Sequence, residues 1–139
     1  MPMSNNILKI EDVSKSFYTQ SGSTELFSSV NISFSPSTSY ALIGESGVGK
    51  STLLHIFSGL EKPSNGGIFF GEKNFWNLKP SDQSHLRLNE TAIIFQQYNL
   101  IPCLNVRENI EFQSKINNKH NIKYIKNIIE DLKLSKLLE

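Results

Sequence analysis

Nine consecutive residues, Gly44 to Thr52, read Gly-Glu-Ser-Gly-Val-Gly-Lys-Ser-Thr. They fit G-x-x-x-x-G-K-[ST], the pattern of a phosphate-binding loop. Each residue type has a chemical reason to be there. Gly44, Gly47 and Gly49 permit backbone conformations that a Cβ blocks. With Glu45, Ser46 and Val48 between them, they let successive N–H groups turn inward as an anion nest. A helix starting near Lys50 would add the partial positive charge of its N-terminus. The Lys50 ammonium can reach β- and γ-phosphates, the Ser51 hydroxyl, at the last position of the motif, suits Mg²⁺, and Thr52 follows directly. The chemistry is the holding of a nucleoside triphosphate. The motif by itself leaves transport ATPases, GTPases and small-molecule kinases open.

Such a loop works between a strand and a helix. Ser39 to Ile43 is a short apolar run that predicts a buried strand entering the loop. Leu53, Leu54, Ile56 and Phe57 supply apolar positions for a helix leaving it. Upstream, Ile7 to Phe17 predicts a strand through Ile7, Leu8, Ile10 and Val13. Tyr18 to Leu26 predicts a polar turn, and Leu26 to Phe34 the returning strand, ended at Pro36. Downstream, Gly59, Pro63, Gly66 and Gly67 mark a long turn before a short strand at Ile68 to Phe70. A helix is expected from Pro80 to about Leu88, capped by Ser81 or Asp82. Thr91 to Phe95 predicts a compact apolar strand. Asn105 can cap a helix from Val106 to Ile116, with Glu108 completing a capping box. Asn117 and Asn118 break it. Asn121 to Leu132 repeats Ile122, Ile125, Ile129 and Leu132 at helical spacing. Leu134, Leu137 and Leu138 begin a further helical stretch. The class is α/β.

Composition narrows the partners. The 139 residues suffice for one domain with a core. The formal net charge of +1 gives no basic field for nucleic acid. No apolar run nears the ~20 residues that span a bilayer, and MPMSNNILK lacks the pattern of a signal peptide. A cytoplasmic location is expected. One cysteine, Cys103, excludes a disulfide within the chain. The 15 Ile, 14 Asn and 12 Lys against 2 Ala and 2 Arg point to an A/T-rich genome, so Lys and Asn richness does not mark a binding patch.

Several segments line up in order: VSKSF ahead of the loop, GLEKPSNG after it, then FQQYNLIPCLNVRENI, whose Gln96 lies 46 residues past Lys50 (96 − 50). Gln96, Leu100, Pro102, Val106, Glu108 and Asn109 all fit FQ-x-x-x-L-x-P-x-x-x-V-x-E-N. From about Ile7 to Glu139 the chain resembles the nucleotide-binding subunit of ABC transporters. It looks most like the MacB/LolD-type branch, which includes lipoprotein-release ATPases. The resemblance implies a P-loop NTPase fold: an N-terminal β-subdomain, the P-loop core and the start of a helical subdomain. It implies ATP and Mg²⁺ as cofactors. Gly44 to Thr52 would be Walker A. Gln96 would be the Q-loop glutamine, ligating Mg²⁺ together with Ser51. Phe17 would stack on adenine in place of the usual Tyr, with Tyr18 as a second candidate. Tyr98 to Asn109 would meet a transmembrane subunit on the cytoplasmic face of the inner membrane, and a second nucleotide-binding subunit would complete a dimer.

The sequence also departs from that family. Among residues 1–139 there is no LSGGQ-type signature, no Walker B strand ending in Asp-Glu, and no switch histidine after it. His55, His85 and His120 are expected at the surface. The expectation is a partial nucleotide-binding domain without a catalytic carboxylate, inactive by itself in hydrolysis. The alternatives are a remnant that binds nucleotide weakly, or another P-loop kinase or soluble ABC ATPase.

Overall fold

The computed structural model describes residues 7–20 and 22–138. The first six residues, Ser21 of the expected turn, and Glu139 lie outside the described residues. The chain forms two units, Met1–Ile93 and Ile94–Glu139.

The first unit is built on an antiparallel sheet in the order β2-β1-β3-β4. Its strands are β1 (Leu8–Thr19), β2 (Gly22–Phe34), β3 (Asn65–Phe70) and β4 (Lys73–Asn74). The β1–β2 hairpin is tighter than the polarity of residues 18–26 predicts. Tyr18 pairs with Ser23 and Thr19 with Gly22, so strand pairing consumes most of the expected turn. Backbone hydrogen bonding tolerates polar side chains wherever they face water.

A bulge decides which β1 residues reach the core. Side chains alternate along a strand, so Ile10 and Val13 ought to face opposite ways. The ladder shifts register between them, and Asp12 sits there at φ 50°. The extra residue rotates Val13 back to the face of Ile10. Both are fully buried, with Ile68 of β3, Phe75, and Ile56 of helix α1 (Lys50–Phe57). Each such side chain contributes about 1.5–3 kcal/mol of burial. The core therefore clamps the back of α1 to the sheet and fixes where the helix begins. Helix α2 (Pro80–Glu90) follows a short 3₁₀ turn at Phe75–Asn77. Its start differs from expectation: Lys79 is the N-cap and Pro80 the first helical residue, with no side-chain cap. Proline suits that position because its missing N–H would be unpaired there anyway.

Two apolar runs expected as strands are not paired. Ser39–Ile43 and Thr91–Phe95 belong to no sheet of the described residues. Ile43 is 89% and Ile94 99% exposed. A strand is held by its neighbours' hydrogen bonds, and a β-like pattern cannot create a neighbour.

The second unit carries α3 (Val106–Ile116) and α4 (Ile122–Asp131). The capping box forms as expected: the Glu108 N–H donates to Asn105 Oδ1 at 2.9 Å, and the Asn105 N–H to Glu108 Oε2 at 2.9 Å. Asn121 caps α4 through the Tyr124 N–H. Of the predicted stripe on α4, Ile125 and Ile129 are buried, while Ile122 and Leu132 at the ends are exposed. Leu134–Leu138 gives only a 3₁₀ turn at Ser135–Leu137. Glu111 of α3 gathers Lys115 at 2.7 Å, His120 at 3.6 Å and Arg107 at 3.8 Å. Its carboxyl pKa is lowered, first by the Lys115 hydrogen bond. Asn105→Ala is expected to cost about 1 kcal/mol. Hydrogen exchange at the Glu108 amide should accelerate with it; unchanged protection would show that the box contributes nothing.

Candidate functional site

The glycine-rich loop runs into α1 as the motif requires. Gly47 and Gly49 both take left-handed conformations, φ 85° and 96°, and Gly49 is the N-cap of α1. No side chain caps this helix, and the first N–H groups of any helix have no intrahelical partner. The helix thus opens with donors and a positive end facing the loop.

The loop is held from behind by β2. A Cβ on Gly49 would stand 2.7 Å from Leu26 Cδ2 and Cγ and 3.2 Å from Phe27 Cδ1. Glycine there serves two needs, the positive φ and the close approach of the hairpin. Upstream, Tyr40 anchors the approach. Its ring meets Phe34 edge-on at 4.8 Å, and its hydroxyl accepts the Ser35 N–H at 3.0 Å, which lowers the phenol pKa from its ordinary value.

Lys50 folds back over its own loop. Its Nζ donates to the Gly44 carbonyl at 2.9 Å and also to the Glu45 carbonyl. The ammonium is thereby held against the N-terminal end of the loop. Glu45, Ser46 and Val48 are exposed, as is Ser51 on the first turn of α1; Thr52 is half-buried. A positive-φ nest, an uncapped helix start and an ammonium held over the loop fit a triphosphate, and an exposed hydroxyl at Ser51 fits a hard cation beside it.

Phe17 lies in the same unit, on β1 opposite Thr24. It is 44% exposed, so it is not a core residue. The Lys15 ammonium stands 5.1 Å from its ring centroid. Tyr18 is exposed. Gln96 belongs to the second unit, exposed in the loop ahead of α3. The backbone of that loop is tied to the helix by Asn109. Its carboxamide accepts the Ile101 N–H at 2.8 Å and donates to the carbonyls of Leu104 at 2.9 Å and Asn105 at 3.0 Å. Sequence reasoning counted Asn109 as a motif position without a job. An asparagine beside a capping-box Glu and four residues past the cap was the available signal. His85 is exposed and His120 pairs with Glu111, but His55 is half-buried rather than solvated. It lies on α1 one position before the core residue Ile56.

The profile of the ABC transporter family matches residues 27–139. The chain belongs to that family. Its relatives include the lipoprotein-releasing system ATP-binding protein LolD of Wigglesworthia glossinidia brevipalpis, 35% identical over 128 residues, covering 92% of this chain and 56% of that protein. Another is a putative hemin import ATP-binding protein, HrtA, of Staphylococcus haemolyticus, 37% identical over 108 residues, covering 78% of this chain and 48% of the relative. Among solved structures, the dimeric bacterial ABC transporter cassette MJ0796 superposes with a TM-score of 0.83 at 25% identity, covering 95% of this chain and 60% of that one. The chain spans about half the length of the curated relatives it matches.

The chain shares with these relatives a region common to proteins named for different cargo. One is named for lipoprotein release and the other for hemin import. Among the described residues, no helix is long and apolar enough to cross a membrane, and no group of three or more His, Cys, Asp or Glu is placed to hold a metal.

Proposed function

We propose that this chain is the phosphate-holding part of an ABC transporter's ATP-binding domain, coupling ATP binding and hydrolysis to export or release of a substrate at the inner membrane. Lipoprotein is the favoured cargo, on the LolD relationship. The observation that carries the reading is Lys50, held by the Gly44 and Glu45 carbonyls at the open start of α1. Gly44 to Thr52 bind the phosphates through backbone N–H groups and the Lys50 ammonium. Ser51 and Gln96 would hold Mg²⁺, and Phe17 the adenine. Bound Mg²⁺ would supply charge neutralisation to the β- and γ-phosphates. Exposed Tyr98 and Leu100, in a loop braced by Asn109, form the surface offered to a transmembrane subunit. A second nucleotide-binding subunit is the expected partner, in keeping with the dimeric MJ0796 cassette. The location is then cytoplasmic and peripheral.

A more restricted reading is favoured by a specific observation. After Gln96 no run of four apolar residues leads to an Asp-Glu pair, so no carboxylate is identified to orient the attacking water. The chain by itself is then a nucleotide holder, and phosphoryl transfer, which relies on positioning, loses most of its acceleration. Phosphate release by monodisperse protein with MgATP decides between the two. Background rates, equal in wild type and Lys50→Ala, are expected. Turnover that depends on Lys50 would overturn the restricted reading and point to a catalytic carboxylate elsewhere in the chain.

A further inference from the structure

We propose that Lys15 is a positioning residue that clamps Phe17 as a platform for the adenine of bound ATP. The inference rests on the reading of Phe17 just given. Lys15 and Phe17 lie two apart near the hairpin end of β1, where the ladder with β2 shifts register between Lys15 and Ser16. The Lys15 Nζ lies 5.1 Å from the Phe17 ring centroid, inside the range of a cation–π contact.

The ammonium is itself fixed. It donates to the Lys62 carbonyl at 2.9 Å and pairs with the Glu61 carboxylate at 2.8 Å. The Lys15 side chain is only 14% exposed, unlike an ordinary surface lysine. Glu61 and Lys62 sit just past α1, and the Glu61 N–H donates back to the His55 carbonyl on that helix. Ser64 fastens the same segment to β1: its N–H donates to the Ser14 carbonyl at 2.8 Å, and its hydroxyl accepts the Ser16 N–H at 3.0 Å. A continuous set of contacts therefore runs from the helix that starts at Lys50 to the ring of Phe17.

The consequence is chemical. A cation stands over one face of a ring that is partly exposed, and the proposal places a flat heteroaromatic on the other face. A ring already held in place loses less freedom when a base stacks on it, so the base adds more to affinity. A lysine serving only as a surface ion pair would have no such preference for the base over the phosphates.

The test is calorimetric titration of the full chain with Mg-ATP and with Mg-tripolyphosphate, which lacks the base. Lys15→Met is expected to weaken ATP about two- to fivefold and to leave tripolyphosphate unchanged. Lys15→Arg, which keeps a cation on the ring, should retain ATP affinity. Glu61→Gln, which loosens the ammonium without removing it, should give a smaller fall in the same ratio, and it serves if Lys15→Met does not fold. Phe17→Ala should lower the ATP-to-tripolyphosphate ratio at least as far as Lys15→Met. If Phe17→Ala leaves that ratio unchanged, the Phe17 reading fails and takes this one with it. If Phe17→Ala lowers the ratio while Lys15→Met does not, or weakens both ligands alike, Lys15 is not a positioning residue although Phe17 stacks. Absence of ATP binding by the wild-type chain overturns both.

Discussion

Lys50→Ala is expected to weaken ATP binding by roughly a hundredfold, the range of a lost hydrogen bond to a charged group. The ammonium is the one side-chain cation that the loop places over itself, through the Gly44 and Glu45 carbonyls. Those carbonyls already satisfy it, so a triphosphate has to outcompete two hydrogen bonds. That competition limits the net gain and is why the expected loss is not larger. Removing the side chain leaves the backbone donors of Gly47, Gly49 and the first turn of α1, which act only as dipoles. The fold should survive. Alanine is the best helix former, and the parts of α1 that anchor it, Leu53 and Ile56, are untouched. Titration with a fluorescent ATP analogue, alongside far-ultraviolet circular dichroism, measures both. Equal affinity in the two proteins would remove the phosphate assignment altogether.

Gly66→Ala is expected to be the most damaging single methyl in the first unit. Gly66 has φ 85°, and a Cβ there would stand 2.3 Å from the Asp12 carbonyl oxygen, 2.5 Å from its carbon and 2.5 Å from the Glu11 oxygen. These are backbone atoms of the β1 bulge, so no rotamer change relieves the clash. The left-handed conformation costs about 1–2 kcal/mol, and forcing atoms into packed space about 1–3 kcal/mol more. A domain of ordinary stability, about 5–15 kcal/mol, would lose a large share of it. The damage would also spread. The bulge sets where Val13 points and where Ser14 meets Ser64, so the Lys15–Glu61 clamp moves with it. Gly71→Ala is the comparison, because Gly71 has φ 60° but nothing within 4 Å of a Cβ. Urea denaturation should show a clearly larger fall in midpoint for Gly66→Ala than for Gly71→Ala. Equal shifts would mean that conformational strain alone matters and that the bulge yields.

Much of the site was legible beforehand because its chemistry is local. A nest of N–H groups, a positive helix end and a reaching ammonium all come from nine consecutive residues, so their spacing in the chain is their spacing in space. The capping box at Asn105 and Glu108 was legible for the same reason, since both bonds close within one turn. The hairpin boundaries were less so. The polar residues 18–26 look like a turn, yet most of them pair, because ladder hydrogen bonds are blind to side-chain polarity on a solvated face.

The sequence by itself determined the family, the glycine-rich loop that opens α1 and the order of helices, since these rest on residues close together in the chain. The tertiary structure decided what depends on distant partners. Two apolar runs, Ser39–Ile43 and Thr91–Phe95, carry a strand's composition and form no strand here, because pairing needs a neighbour's free N–H and C=O groups. Ile10 and Val13 share one core only through a bulge that Gly66 accommodates. Lys15 reaches Glu61 and Lys62 from more than forty residues away. No periodicity encodes that contact; it exists because the core of Ile10, Ile56 and Ile68 brings β1 and the end of α1 together.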